Sequence, residues 1–318
     1  MKLQIVLMLQ LISLPLLALE CAQVPNTTGM AALPGCIHGL PVRQGELILV
    51  PRACRLTVAG KTVDRQSVDI RHGETGARVG QASLPPTPPG PEPAQPGTIL
   101  PGEPPLLVTN QGIAAIDPRA GQAEPTFEPQ GKLLAVARKN DVLLVVEVQS
   151  ADKTFPGGSL AVTAIDQEAG EVLGDLQLAG ITLEILQLRA GKGKSLEAVL
   201  TRLNKEQKRE ELVIPLRDEA GKSVVKKAQL AGKLQPASPP PPFTPTCPVL
   251  PAPDRVLLEK PWILLEDSRQ TLHLPGGFQG AKVAGQNCVT VSALNDKQTG
   301  MAWVLTANKA QLLPVKCQ

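Results

Sequence analysis

The feature that most constrains this chain is an internal repeat. Glu168-Ala169-Gly170 returns as Glu219-Ala220-Gly221, and Gln177-Leu178-Ala179-Gly180 returns as Gln229-Leu230-Ala231-Gly232, each about 50 residues later. Glu74-Thr75-Gly76, Gly80 and Leu84 share one spacing with Glu168-Ala169-Gly170, Gly174 and Leu178, about two periods apart. Ile116-Asp117 to Ala120-Gly121 fills the place between them and matches Ile165-Asp166 to Ala169-Gly170, about 49 residues on. Four related turns therefore close at Gly76, Gly121, Gly170 and Gly221. Apolar residues alternate before a turn, as at Leu160, Val162 and Ala164, and a second apolar stretch follows it, as from Val172 to Leu178. A strand, a polar turn ending in glycine and a second strand make a hairpin. Trp262 to Leu265 into Thr271 to Leu274, and Cys288 to Val291 into Met301 to Leu305, extend the series, the first on the period and the second early, so that the register is lost toward the C-terminus.

Sheet units of this length bury their faces against the units on either side, the arrangement of a β-propeller. The expected fold is all-β, a β-propeller-like array of about five to six four-stranded units; tandem β-sandwich domains are the alternative. The segment Leu106 to Gly180 carries Leu106-Leu107-Val108-Thr109-Asn110, then Gly112-Ile113-Ala114-Ala115-Ile116-Asp117, then Ala120-Gly121. That order resembles bacterial β-propeller repeats of the quinoprotein-like and lactonase-like (YVTN-type) class, without the aromatic residues usual there. The resemblance implies a fold far more than an activity.

Two proline-rich stretches interrupt the series, Pro85 to Pro105 and Pro236 to Pro253. Proline fixes φ and removes a ladder donor, so both are expected as extended connectors. They divide the chain into a signal segment 1–20, an N-terminal β unit 21–84, a linker 85–105, a central repeat region 106–235, a linker 236–253 and C-terminal β units 254–318. Ser195 to Leu212 is rich in helix formers, but the repeat places a hairpin there with its tip near Asn204 to Lys208, and the hairpin is the expectation.

Met1-Lys2 precedes an apolar run from Leu3 to Leu19, broken only by Gln4, Gln10, Ser13 and Pro15. This is the pattern of a signal peptide, with processing around Glu20 to Gln23. No later stretch is long and apolar enough to span a bilayer, so a secreted or periplasmic mature chain is expected. Cys21 sits where bacterial lipoproteins are processed and acylated, but Glu20 is large and charged where that pattern has a small residue. Lipid anchoring through Cys21 is the lesser alternative. Asn26-Thr27-Thr28 also fits the N-glycosylation sequon, which matters only in a host that glycosylates.

Six cysteines, none in a CxxC pair, indicate disulfides in an oxidising compartment rather than a thiolate zinc site. Proximity favours Cys36 with Cys54 and Cys288 with Cys317. Cys21 and Cys247 then pair with each other, or Cys21 is removed or lipidated.

The net charge is only +3 with both signs interspersed, and the chain has no Tyr, two Trp and four Phe. Neither a basic stripe for nucleic acid nor an aromatic platform for bases or sugars can be assembled, and the core must be aliphatic. Gly193-Lys194-Ser195 ends like a phosphate-binding loop, but Leu188 stands where that motif needs glycine. Gly157-Gly158-Ser159-Leu160-Ala161 approaches a nucleophile elbow, but Ala161 replaces its last glycine. Both read as turns. Asp69, His72 and Glu74 cluster where a strand enters its turn; with only His38 and His273 elsewhere, a histidine-rich metal centre is hard to build, and a solvated turn is the simpler reading. Asp69, Asp117 and Asp166 recur just before turns, where a carboxylate commonly stabilises its own hairpin.

No catalytic, cofactor-binding or metal-ligating residue is assigned, and no cofactor is expected. The sequence is read as an exported or cell-envelope β-repeat scaffold that binds another protein or an envelope component, with no nucleic-acid partner. The alternative is a propeller hydrolase or lactonase holding a metal on carboxylates in its central channel. N-terminal sequencing of protein from the native host is expected to find a start between Leu19 and Gln23 and no diacylglycerol. A lipidated Cys21 would overturn that expectation.

Overall fold

The computed structural model describes residues 21–23, 27, 30–31, 36–91, 95–180, 183, 185–203, 209–225, 229, 233–236, 249–250, 255–257, 262–267, 270–275, 281–283, 286–292, 297, 299–306 and 309–317. Every regular element among them is a strand. The short strands β1 (Cys21–Gln23) and β2 (Met30–Ala31) come first. In the first unit β3 (Cys36–His38) and β4 (Val42–Gln44) share one side of β5 (Leu47–Val58), which leads to β6 (Lys61–His72) and β7 (Arg78–Ser83). The second unit is β8 (Thr98–Leu100), β9 (Leu106–Thr109), β10 (Gly112–Asp117) and β11 (Gln122–Phe127). The third is β12 (Lys132–Lys139), β13 (Val142–Gln149), β14 (Ser159–Asp166) and β15 (Glu171–Ala179). The fourth is β16 (Ile185–Ala190), β17 (Leu196–Leu203), β18 (Arg209–Arg217) and β19 (Lys233–Pro236).

A less regular region follows, with β20 (Val249–Leu250), β21 (Arg255–Leu257) and a hairpin of β22 (Trp262–Asp267) and β23 (Gln270–Pro275). β21 runs antiparallel to β12, and β23 parallel to β3. The last unit is β24 (Ala281–Val283), β25 (Gln286–Ser292), β26 (Thr299–Thr306) and β27 (Lys309–Cys317), and β1 and β2 add to β27. The second, third, fourth and last units are antiparallel meanders in chain order, and the first follows β3-β5-β6-β7 with β4 set beside β5 off that path. The fold is an all-β, propeller-like array of such units.

Successive units pack face to face. Val42, Leu49, Val68 and Ile70 of the first unit meet Ile99, Leu107 and Ile116 of the second. The second presents Leu100, Leu106, Val108 and Ile113 to Leu133, Val136, Leu143 and Val145 of the third. The third presents Val142, Leu144, Val146 and Val162 to Leu186, Ala198, Leu200 and Ile214 of the fourth. Neighbouring residues on one strand therefore serve different interfaces, and a run such as Val142 to Val146 is apolar throughout. The same alternation settles Ser195 to Leu212: Leu196, Ala198 and Leu200 are buried on one face of β17, so packing with a period of two overrides helix propensity. The tip at residues 204–208 lies outside the described residues.

One turn recurs between the third and fourth strands. Asp117 Oδ1 accepts N–H bonds from Arg119 and Ala120 at 2.8 and 2.9 Å, and Asp166 Oδ1 accepts from Glu168 and Ala169 at 3.0 Å. Asp218 Oδ1 accepts from Ala220 and Lys222 at 3.0 and 2.9 Å. Each turn then closes on a glycine at positive φ, 67° at Gly121, 70° at Gly170 and 84° at Gly221. In the first unit Gly76 has φ 68°, and the N–H of Glu74 is accepted by His72 Nδ1 at 3.3 Å. The residue equivalent to Asp117 and Asp166 is therefore His72, not Asp69.

The stretch Pro85 to Pro105 is not a free connector. Asp64 and Thr87 exchange backbone hydrogen bonds at 2.9 Å, and Gln66 Nε2 donates to the Gln95 carbonyl at 3.0 Å. Its proline-free part, Thr98 to Leu100, is the buried strand β8, so the second unit begins inside the span read as linker. Of the second stretch, residues 237–248 and 251–254 lie outside the described residues.

A Cβ at Gly170 would meet nothing within 4 Å, whereas one at Gly121 would lie 3.2 Å from the Gln81 carbonyl of β7. Gly170→Ala is expected to cost the left-handed backbone alone, about 1–2 kcal/mol. Gly121→Ala should cost more, because backbone must also move. Urea denaturation of the two variants compares them; equal losses would mean that the second turn does not rest on the first unit.

Candidate functional site

Charged side chains are concentrated on one face of the first unit. Asp69, fully buried on β6, receives Arg71 Nε at 3.1 Å and Arg78 Nε at 2.9 Å. Arg71 Nη1 donates to the Gly76 carbonyl at 2.8 Å, so the same guanidinium also ties down the turn. Gln81 Oε1 accepts from both Arg52 and Arg78 at 2.6 Å, and Arg52 Nε donates to Ser67 Oγ at 3.0 Å. Strand alternation explains the clustering: Arg52 pairs across to Ser67 and His38, and Asp69 pairs across to Gln81. At the far end of β6, Arg55 bonds Asp64 at 2.8 Å, which holds that carboxyl below its usual range.

A second charged cluster joins the third and fourth units. Arg217, at the end of β18, donates to Asp141 at 2.9 Å and to Asp166 Oδ2 at 2.9 Å. Asp166 thus caps its own turn with one oxygen and holds the neighbouring unit with the other. The Asp141 carboxyl is burdened by burial, but the Arg217 guanidinium holds it below its ordinary value. Arg138 similarly reaches back to the β8–β9 turn of the second unit, donating to the Glu103 and Pro104 carbonyls at 3.1 and 2.5 Å.

An open apolar groove lies between the first two units. Their outer strands touch where Ser83 of β7 meets Gln122 of β11 in parallel register, and then diverge. The wedge between them is a hollow of about 280 Å³ walled by Leu84, Pro85, Ile113, Pro125 and Phe127, with Gln111 at its rim. Gly112 is required there, since a Cβ would come within 2.5 Å of the Phe127 carbonyl.

The residues singled out in the sequence are mostly absorbed into turns and strands. Asp69, His72 and Glu74 do not converge: Asp69 is held by two guanidinium groups, His72 caps its turn, and Glu74 is exposed. No group of three His, Cys, Asp or Glu suited to a metal ion occurs among the described residues. Ser159 is the buried first residue of β14, paired to Gln149 and Ala179, and is no nucleophile elbow. Lys194 lies in the β16–β17 turn, its N–H donated to the Glu219 carbonyl at 3.0 Å. Cys36 and Cys54 are bonded, as their proximity suggested. Asn26 and the side chain of His273 lie outside the description, and no helix among the described residues is long and apolar enough to cross a membrane. Sequence reasoning missed Arg217, Arg138 and the groove, whose walls come from three separate segments; Phe127, one of four phenylalanines, was the one available signal.

No protein-family model matches the chain, and no curated protein matches it. Among solved structures it is similar to the acylaminoacyl peptidase of Pyrococcus horikoshii, at 12% identity over 87% of this chain and 50% of that one, with a TM-score of 0.44. It is similar also to the β-propeller domain of the Trilobed protease from Pyrococcus furiosus, at 10% identity over 91% of this chain and 96% of that one, with a TM-score of 0.47. The chain spans about half the length of the acylaminoacyl peptidase. Likeness this distant carries neither fold nor activity across. The strand register defines the class, a propeller-like β array.

His38, fully buried on β3, is pushed down from 6.5 to about 4, first by burial and then by Arg52 and Arg71 against the opposing pull of Asp69. Its folded-state value is depressed, so the unfolded chain binds the proton first. Its stabilising contribution is complete above the unfolded value and is lost as pH falls from about 6.5 to about 4, roughly 3 kcal/mol across the window. The urea midpoint should therefore drop more between pH 7 and pH 4.5 in the native protein than in His38→Gln. Parallel declines would show that His38 is not the group responsible.

Proposed function

We propose that the protein is an exported or cell-envelope β-repeat scaffold that binds a partner protein, with the groove between its first two units as the contact. The groove is the observation that carries this reading. Most apolar side chains of the array are spent between units, yet Leu84, Pro85, Pro125 and Phe127, none of them fully buried, wall an open hollow. The occupant it suits is an extended apolar segment of another chain. Such a segment would lie in the wedge beside β11, whose edge beyond Gln122 pairs with no strand on that side among the described residues, and edge pairing supplies backbone hydrogen bonds while the hollow takes a side chain. Export is supported by the N-terminal apolar run and by the Cys36–Cys54 disulfide.

A lactonase-like hydrolase, the activity class suggested by the repeat pattern of residues 106–180, would need carboxylates from several units at one axis. Asp117 and Asp166 are instead engaged in turns between third and fourth strands. The binding reading is tested by placing a photo-crosslinking residue at Gln111 in the native host, with Lys61 as an exposed position outside the groove. A discrete adduct from Gln111 alone, abolished by Phe127→Asp in a variant that keeps its urea midpoint, is the expected result. Equal adducts from both positions, or none from Gln111, would overturn the groove as the contact.

A further inference from the structure

The last unit borrows its outer strands from the start of the chain. β1 runs antiparallel to β27, with Cys21 opposite Cys317, Ala22 opposite Lys316 and Gln23 opposite Val315. Cys36 and Cys54 stand in the same relation, directly opposite on β3 and β5, and there the sulfurs are bonded with the Cα atoms 4.1 Å apart. Directly opposed residues on antiparallel strands have Cα atoms about 4.5–5.5 Å apart, within the reach of a disulfide. Cys288 is placed otherwise. It lies opposite Val304 on β26, and Val304 lies opposite Gln311 on β27. Cys288 is therefore two strand spacings from β27, about 9–10 Å, and level with Gln311 rather than Cys317. That exceeds the roughly 7 Å a disulfide can bridge.

We propose that Cys21 and Cys317 form a disulfide that joins the first strand of the array to the last, in place of the pairing of Cys288 with Cys317 that sequence proximity suggests. Two thiols become one disulfide by passing two electrons and two protons to a disulfide oxidant, glutathione disulfide or a disulfide-bearing oxidoreductase, which leaves as two thiols. The Cys21 sulfur cannot then also carry a thioether-linked lipid, so the assignment excludes lipid anchoring at this residue. The crosslink closes a loop of nearly the whole chain, the case in which restriction of the unfolded ensemble is greatest. It rests on the exported reading only in needing an oxidising compartment, and an oxidising buffer supplies that condition independently.

The methionines allow a direct test. Cyanogen bromide cleaves after Met30 and Met301, so Cys21 leaves in the fragment ending at Met30 and Cys317 in the fragment Ala302 to Gln318. Cys36, Cys54, Cys247 and Cys288 stay in the fragment Ala31 to Met301. The full-length chain is refolded in a glutathione redox buffer, its free thiols are alkylated, and it is cleaved without reductant and weighed by mass spectrometry. The two end fragments are expected to be linked to each other and to separate on reduction, and Cys317→Ser should abolish the linked species. An end fragment bound to the middle fragment, or both end fragments alkylated, overturns the proposal. Protein recovered from the native host separates this from the question of export. End fragments linked after refolding but alkylated in the host protein would support the pairing and count against an oxidising compartment.

Discussion

The structure depends on aliphatic strands buried on both faces. In the second and third units each central strand sits between two neighbouring sheets, so Leu107 packs one way and Leu106 and Val108 the other. Stacked sheets lie about 10 Å apart, and small branched side chains fill that gap without large aromatics. This accounts for a chain with no Tyr and four Phe that still buries an aliphatic cluster between each pair of successive units from the first to the fourth. It also makes the units interdependent. Truncating a fully buried leucine such as Leu144 leaves a cavity at an interface, at a cost of about 2–5 kcal/mol, and no single unit has a second face of its own to fall back on.

Polar chemistry in the array serves mainly to fix geometry. The Asx-type bonds at Asp117, Asp166 and Asp218 each satisfy two backbone N–H groups, and a net hydrogen bond is worth about 1 kcal/mol. Asp69 is different in kind, because it is buried between two guanidinium groups. Removing one partner of such a pair leaves an uncompensated charge, a loss of about 3–5 kcal/mol, although the intact pair adds little over an apolar replacement. The charged face of the first unit thus specifies how its strands pair and turn more than it adds stability.

What was legible in the sequence was what local chemistry determines. The Asp-to-Gly turn repeats because a carboxylate and a left-handed residue are needed within five positions, and that signature survives where the flanking strands diverge. It failed to show His72 as the first member, since the ring nitrogen does the same work with different letters. Strand β8 was hidden because Thr98, Ile99 and Leu100, set between prolines, are too few to carry a period. The groove was invisible because Leu84, Ile113 and Phe127 are brought together only by the meeting of β7 and β11. Cysteine spacing worked for Cys36 and Cys54, which lie on neighbouring strands of one unit, but spacing carries no register, and the register sets Cys288 level with Gln311, two strands away, rather than with Cys317.

The order in which the array can form follows from the same register. The first four units are built mainly by pairing strands close in the chain, so most of their contacts are local and close small loops. The last unit cannot be completed that way. β27 needs β1 and β2 along its outer edge, and their pairing must bring together residues from opposite ends of the chain, which costs the most loop-closure entropy. Until they pair, β27 presents an unpaired strand edge, the kind of surface that invites pairing with other chains. Strands β1 and β2 are therefore part of the sheet of the last unit. A chain cleaved beyond β1 would keep its four local units and lose the cover on its last strand.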